Sequence, residues 1–168
     1  MNQTKAAVSI DELVALMGGL EGLYGELTQL LESKVNAMRR ADVECMSQLG
    51  AKEIALTQRM RDRDALRKQV LERIGKSIGL NSARSRTLTV SQLTAHLDEP
   101  KRATLMEAAK RLRTAVFRSA RVGRLAGAVA RDVLEHMRWV FASVRPKGHS
   151  NHEYGGARME HRILDAVV

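Results

Sequence analysis

The chain has two prolines, Pro100 and Pro146, and the stretch between them carries small or apolar side chains every seven positions. One row is Leu105, Leu112, Ser119, Ala126, Val133 and Val140; a second is Ala109, Val116, Gly123, Ala130, Met137 and Val144. This spacing predicts one long helix over 100–144 with a single apolar stripe. Pro100 fits the first turn, where its missing N–H would have no intrahelical partner anyway. Asp98 and Glu99 put negative charge at the positive end of the helix dipole, and Arg145-Pro146-Lys147-Gly148 stops the helix. A helix this long with one stripe does not hold itself together in water, because ordering its backbone outweighs what the stripe alone can bury. The rest of the chain must therefore supply long helices to lie along it.

Two such helices are legible upstream. Ser9-Ile10-Asp11-Glu12 has the form of a capping box, and from it Ile10, Leu13, Met17, Leu20, Tyr24, Leu27 and Leu31 recur three and four apart, flanked by Leu16, Leu23 and Leu30. This predicts a helix over about 10–40. Gly18, Gly19, Gly22 and Gly25 crowd one part of it, and since glycine is costly in a helix interior, a close helix crossing or a bend is expected there, close packing being the preferred reading. Ala41 breaks the pattern and Asp42 is placed to cap a second helix, about 42–78. It carries Val43, Met46, Leu49, Leu56, Met60, Leu66, Val70 and Ile74, and fades at Gly79-Leu80, a glycine C-cap with its hydrophobic follower. The short break suggests an antiparallel pair, with one bent helix as the alternative. Residues 81–89 read as a polar linker, and Thr89-Val90-Ser91-Gln92 as a capping box opening a short helix over about 90–97. The fold expected is all-α: an antiparallel long-helix hairpin or three- to four-helix coiled-coil-like bundle over 1–148, with a flexible tail over 149–168. In that tail Met159, Ile163 and Val167, beside Leu164, form a short amphipathic strip, either a cap on the bundle or a docking element that orders on binding.

Composition narrows the function classes. Aromatic residues are scarce at 3%, the single Cys45 excludes an intrachain disulfide, and no apolar run is long enough to span a bilayer. With no signal-peptide block after Met1, a cytoplasmic protein without membrane insertion is expected. The formal charge of +9 is the one anomaly, and segment 101–131, with Glu107 as its only acid, supplies most of it. Arg102, Lys110, Arg113, Arg121, Arg124 and Arg131 fall mainly opposite the stripe. They form a solvated or acidic-protein-binding face, or, less favoured, a nucleic-acid surface; Phe117 is the only aromatic among them.

No reaction chemistry is legible. Gly75-Lys76-Ser77 resembles the end of a phosphate loop, but Val70 stands where the loop needs its first glycine. His149, His152 and Glu153 lack a metal-site order, His136 sits near the edge of the long stripe as a packing residue, and Cys45 reads as a small packed side chain. No enzyme activity, cofactor or metal is expected.

Three local patterns give the chain a resemblance to the FlgN family of flagellar export chaperones. Ala41-Asp42 with Met46, Leu49, Lys52-Glu53 and Leu56 resembles the family's acidic cap, apolar repeat and Glu/Lys pair after the first helix. Leu88-Thr89-Val90-Ser91-Gln92-Leu93 is similar to its capped segment before the last long helix, and Tyr154-Gly155-Gly156 to the Tyr-Gly turn of its tail. The chain departs from the family in being basic and in carrying Ser119 and Val122 where asparagines three apart are often found. The resemblance implies a helical chaperone that holds hook-associated (hook–filament junction) proteins, FlgK and FlgL, prevents their premature assembly and delivers them to the flagellar export apparatus. Client binding would then fall to Trp139, Val140, Phe141 and Val144 with Tyr154, Met159, Ile163 and Leu164, an amphipathic surface suited to a client's apolar terminal helices. A basic nucleic-acid-binding protein and a structural coiled-coil adaptor, self-associating as a homodimer, remain the alternatives.

Overall fold

A computed structural model describes residues 2–81, 85 and 88–144, the stretch 2–8 by its backbone alone. Its elements are α1 (Asn2–Arg39), α2 (Val43–Ser77), the short α3 (Val90–Thr94) and α4 (Glu99–Val144), with no strand among the described residues. The fold is all-α, as the periodicity predicts.

Local chemistry sets most helix ends. At the end of α1 the amide of Asp42 donates to Ala37 O (3.0 Å) and that of Ala41 to Met38 O (3.1 Å), the paired bonds of a Schellman turn. Ala41 takes the left-handed position at φ 53°, one that favours glycine. Asp42 then caps α2, its Oδ1 accepting from the Cys45 amide at 3.0 Å. A second Schellman turn ends α2, with Gly79 at φ 84° and Leu80 N donating to Gly75 O at 2.9 Å. The capping box of α3 is complete: Gln92 N donates to Thr89 Oγ1 (3.3 Å) and Thr89 N to Gln92 Oε1 (2.9 Å). One end departs from expectation. α1 starts at Asn2, so Ser9 lies inside the helix and not at its N-cap. Lys5-Ala6-Ala7 contains strong helix formers and no breaker, so nothing forces the helix to begin at Ser9.

α2 returns antiparallel along α1, tied by Arg73–Glu12 (2.6 Å), Arg59–Glu26 (2.9 Å) and Lys34–Glu53 (2.5 Å). These exposed or half-exposed pairs mark register more than they stabilise it. α4 runs parallel to α1: Arg111 meets Glu21 at 3.2 Å, and further along both helices Gly123 faces Leu31. α1 packs closely on both α2 and α4, whereas α2 and α4 make no close backbone approach to each other. The middle helix is therefore α1, not the longer α4. Its two apolar rows explain why: Ile10, Leu13, Leu16, Met17, Leu20, Leu23 and Leu31 are all buried, a face wide enough for two neighbours.

The core is densest where all four helices meet. There Ile10, Leu13, Leu16 and Met17 of α1 join Val70, Leu71 and Ile74 of α2, Leu93 of α3, and Leu105 and Ala108 of α4. Gly75 belongs to this end for a steric reason. A Cβ at Gly75 would lie 2.9 Å from Ser85 Cα and closer still to the Ser85 side chain, so the fully buried Ser85 seats against bare backbone. Arg102 also acts here, donating to Thr94 O (3.1 Å) and Leu97 O (3.4 Å). It ties down the end of α3 and is not part of a free basic face.

Two packing expectations fail. A methyl group at Gly18, Gly22 or Gly25 would meet nothing within 4 Å, and Gly19 is covered only by the Arg63 guanidinium, Nη1 at 3.0 Å. There is no close crossing. The glycines leave a shallow cleft beside Leu23 and Leu66, lined also by the exposed Arg59 and Arg63. On α2, Val43 and Leu66 are exposed while Leu71 is buried. At 100° per residue Leu66 stands about 80° and Val43 about 140° around the helix from Leu56 and Ile74, off the edge of the buried face, whereas Leu71 lies only about 60° from them.

Candidate functional site

The stripe of α4 outlasts its partner. The last buried residues of α1, Leu31, Val35 and Met38, pack on Ala126, with Val122, Val129, Ala130 and Met46 of α2 around them. α1 then stops at Arg39. Beyond Arg131, α4 continues for roughly 20 Å at 1.5 Å per residue with no other described helix beside it. Along one seven-residue row, exposure rises from 0% at Leu105 to 37% at Val140. Leu134, Met137 and Val144 are exposed, Trp139 is 67% and Phe141 68% exposed, and the ring of His136 stacks on Trp139 with centroids 6.2 Å apart. His136 is thus a surface residue and not a packing residue of the bundle, because no other helix reaches its level. Trp139, Val140, Phe141 and Val144 all lie on this free end, with Trp139 and Phe141 about 200° apart around the helix. Tyr154, Met159, Ile163 and Leu164 lie outside the described residues, as do His149, His152 and Glu153.

Large apolar side chains held in water by a rigid helix can be buried by another chain at ~1.5–3 kcal/mol each. Large exposed apolar patches mark binding surfaces. Among the described residues no group of His, Cys, Asp and Glu could hold a metal ion, and no helix is long and apolar enough to cross a membrane. Cys45 is half-buried, and its backbone amide is engaged by the Asp42 cap. The Asp64 carboxyl on α2 is pushed up by partial burial, but hydrogen bonds and charge from Lys68 and Arg67 outweigh this and hold it below its ordinary value. That balance belongs to a surface ion-pair cluster, Arg67 and Lys68 each 2.8 Å from Asp64.

The basic face of α4 is also resolved into parts. Arg111 pairs with Glu21, and Arg102 with Glu99 at 3.3 Å. Lys110, Arg113, Arg118, Arg121, Arg124 and Arg131 are exposed and carry no ion pair among the described residues. Between them Phe117 is exposed, and with Leu125 it overlooks a groove whose other wall is α1, through Val35 and Arg39. Sequence reasoning noted Phe117 only as the lone aromatic on a charged face and passed over Val35, Arg39 and Leu125. The available signal was that Phe117 and Leu125 lie off both apolar rows and so have no place in the α4 stripe.

A family model described as FlgN protein matches residues 1–161. No curated protein and no solved structure matches the chain.

Proposed function

The chain belongs to the FlgN family of flagellar export chaperones, and from that premise we propose that it acts in the cytoplasm. There it holds hook-associated (hook–filament junction) subunits of the FlgK and FlgL kind and delivers them to the flagellar export apparatus. The observation that carries this reading is the end of α4 that no other described element covers, from which Trp139, Val140, Phe141 and Val144 project. A subunit waiting for assembly has amphipathic terminal helices without their partners, and a free helix end offers them a reversible substitute. Trp139 and Phe141, on opposite sides of the helix, supply an anchor each, of the aromatic kind enriched among hot-spot residues, whose truncation costs ~2 kcal/mol or more. Tyr154, Met159, Ile163 and Leu164 complete the client surface on the strength of their sequence spacing. The chaperone role requires binding and release and no bond chemistry.

The test is calorimetric titration of a purified hook-associated subunit into the intact chain and into the double variant Trp139→Ala, Phe141→Ala. Both side chains are exposed, so the variant is expected to melt with the parent while its Kd rises at least tenfold, ~1.4 kcal/mol. An unchanged Kd sinks the assignment of the client site to this end. Shortening the chain after Gly148 is expected to weaken binding as well, with the helical content of 2–144 retained.

A further inference from the structure

We infer that the outer seam between α1 and α4 is a second docking site, one that takes an acidic amphipathic helix from a partner protein. It rests on residues apart from the end of α4 and stands whichever subunit that end holds.

The seam is a continuous trough. One stretch runs from Glu21 and Glu107 to Thr114 and Arg118; the next takes up at Thr114 and Arg118 and runs to Arg39 and Leu125. Their volumes are about 390 Å³ and about 1160 Å³. On α1 the lining positions Glu21, Gly25, Thr28, Glu32, Val35 and Arg39 recur three and four apart. They form a face distinct from the one through which Glu12, Glu26 and Lys34 reach α2. α2 therefore cannot close the trough, because it lies on another side of α1. From Glu21 to Arg39 the trough is ~27 Å long, the span of a helix of about 18 residues.

Its chemistry selects the occupant. The lining of the wide stretch includes the apolar Val35, Val122, Leu125 and Phe117, and Phe117 is 66% exposed. The rim is basic: Arg39, Arg118 and Arg121 stand against Glu32. None of the three arginines has an acidic partner among the described residues, whereas Arg111, in the narrower stretch, is already engaged by Glu21. An apolar lining between unpaired guanidinium groups complements a helix with an apolar stripe flanked by Asp and Glu. Its stripe covers Phe117 and Leu125 while its carboxylates take the fork-shaped donors of the arginines. A nucleic acid strand fits less well. It asks for successive aromatic platforms under its bases, and Phe117 is the single aromatic lining the trough.

The test uses the full chain and three fluorescently labelled probes. The first is an 18-residue amphipathic helical peptide with glutamates flanking its apolar stripe. The second has lysines in their place, and the third is a single-stranded DNA carrying the same negative charge as the first. The glutamate peptide is expected to bind with an affinity that falls as salt is raised, and the lysine peptide at least tenfold more weakly. The double variant Arg118→Glu, Arg121→Glu is expected to weaken the glutamate peptide at least tenfold, and Phe117→Ala to weaken it severalfold without altering its salt dependence. All three substitutions fall on exposed positions, so unchanged melting verifies that the fold is intact. Trp139→Ala, Phe141→Ala is expected to leave this binding unchanged, which separates failure here from failure of the client site. Equal binding of the two peptides overturns the proposal. So does tighter binding of the DNA that is lost with the same arginines, or a self-association of the free chain that the Arg118→Glu, Arg121→Glu variant abolishes.

Discussion

The two ends of α4 carry the same repeat and end in opposite environments. Leu105 opens one row with no exposure, enclosed by side chains of α1, α2 and α3, while Val140 closes the same row in solvent beside Trp139 and Phe141. Nothing in α4 itself makes the difference. It arises because α1 stops at Arg39 and α2 starts at Val43, so the hairpin tip falls level with about Ala130 and, among the described residues, leaves the last turns of α4 unaccompanied. A heptad row states that a face is fit to be covered. Whether it is core or binding surface depends on how far the neighbouring helices extend.

The contrast is best broken by paired substitutions. Leu105→Ala is expected to cost ~2–5 kcal/mol in denaturant unfolding, as for large-to-small changes at enclosed sites. Val140→Ala, on the same row, is expected to stay within about 0.5 kcal/mol. A loss above about 1 kcal/mol at Val140 would mean that the free end is covered in solution, and the contrast would collapse. Gly75→Ala probes the closed end from the opposite direction, by adding volume. Ser85 must give way to the new methyl group, and a loss of ~1–3 kcal/mol is expected in the same unfolding measurement. A neutral result would show that the closed end is looser than its burial implies.

Smaller effects sharpen the boundary between the two regions. Ala41 holds a left-handed φ at the hairpin tip, just where α4 loses its cover. Ala41→Gly is expected to stabilise by ~1 kcal/mol and raise the melting temperature, since only the Cβ opposes that conformation; a destabilised variant would argue against the Schellman turn. Gly22 lies between the closed end and the tip, with open space around its Cα. Gly22→Ala is expected to gain up to ~1 kcal/mol from helix propensity. If it loses stability instead, the helices cross more closely in solution than the open space at Gly22 allows.

Much of this was legible in the residues because it is local. Asp42, Thr89 with Gln92, and Gly79 act within a few positions of themselves, and each shapes a helix end as the chemistry of its side chain or backbone requires. The rows on α4 are local in the same way. Ser9 misled because a capping pattern is also compatible with a helix interior when the residues before it are helix formers. The glycines misled because an absent side chain permits close approach without bringing a neighbour near. The exposed residues at the end of α4 proposed to bind the client were marked by their apolar and aromatic character near the end of a row. The trough was not, because Arg39 and Arg118 are far apart in the chain and meet only through the parallel register of α1 and α4.

From the order of its residues alone, this chain settles that it is helical, where most of its helices end, and which faces must leave water, since all three follow from backbone bonding and side-chain periodicity over a few turns. The tertiary structure decided that α1 lies in the middle and that α4 overhangs. It also decided that a basic face resolves into tied arginines and unpaired ones beside an open trough. These depend on helix lengths, turn geometry and side-chain volumes acting jointly across the bundle, and no single stretch of sequence contains them.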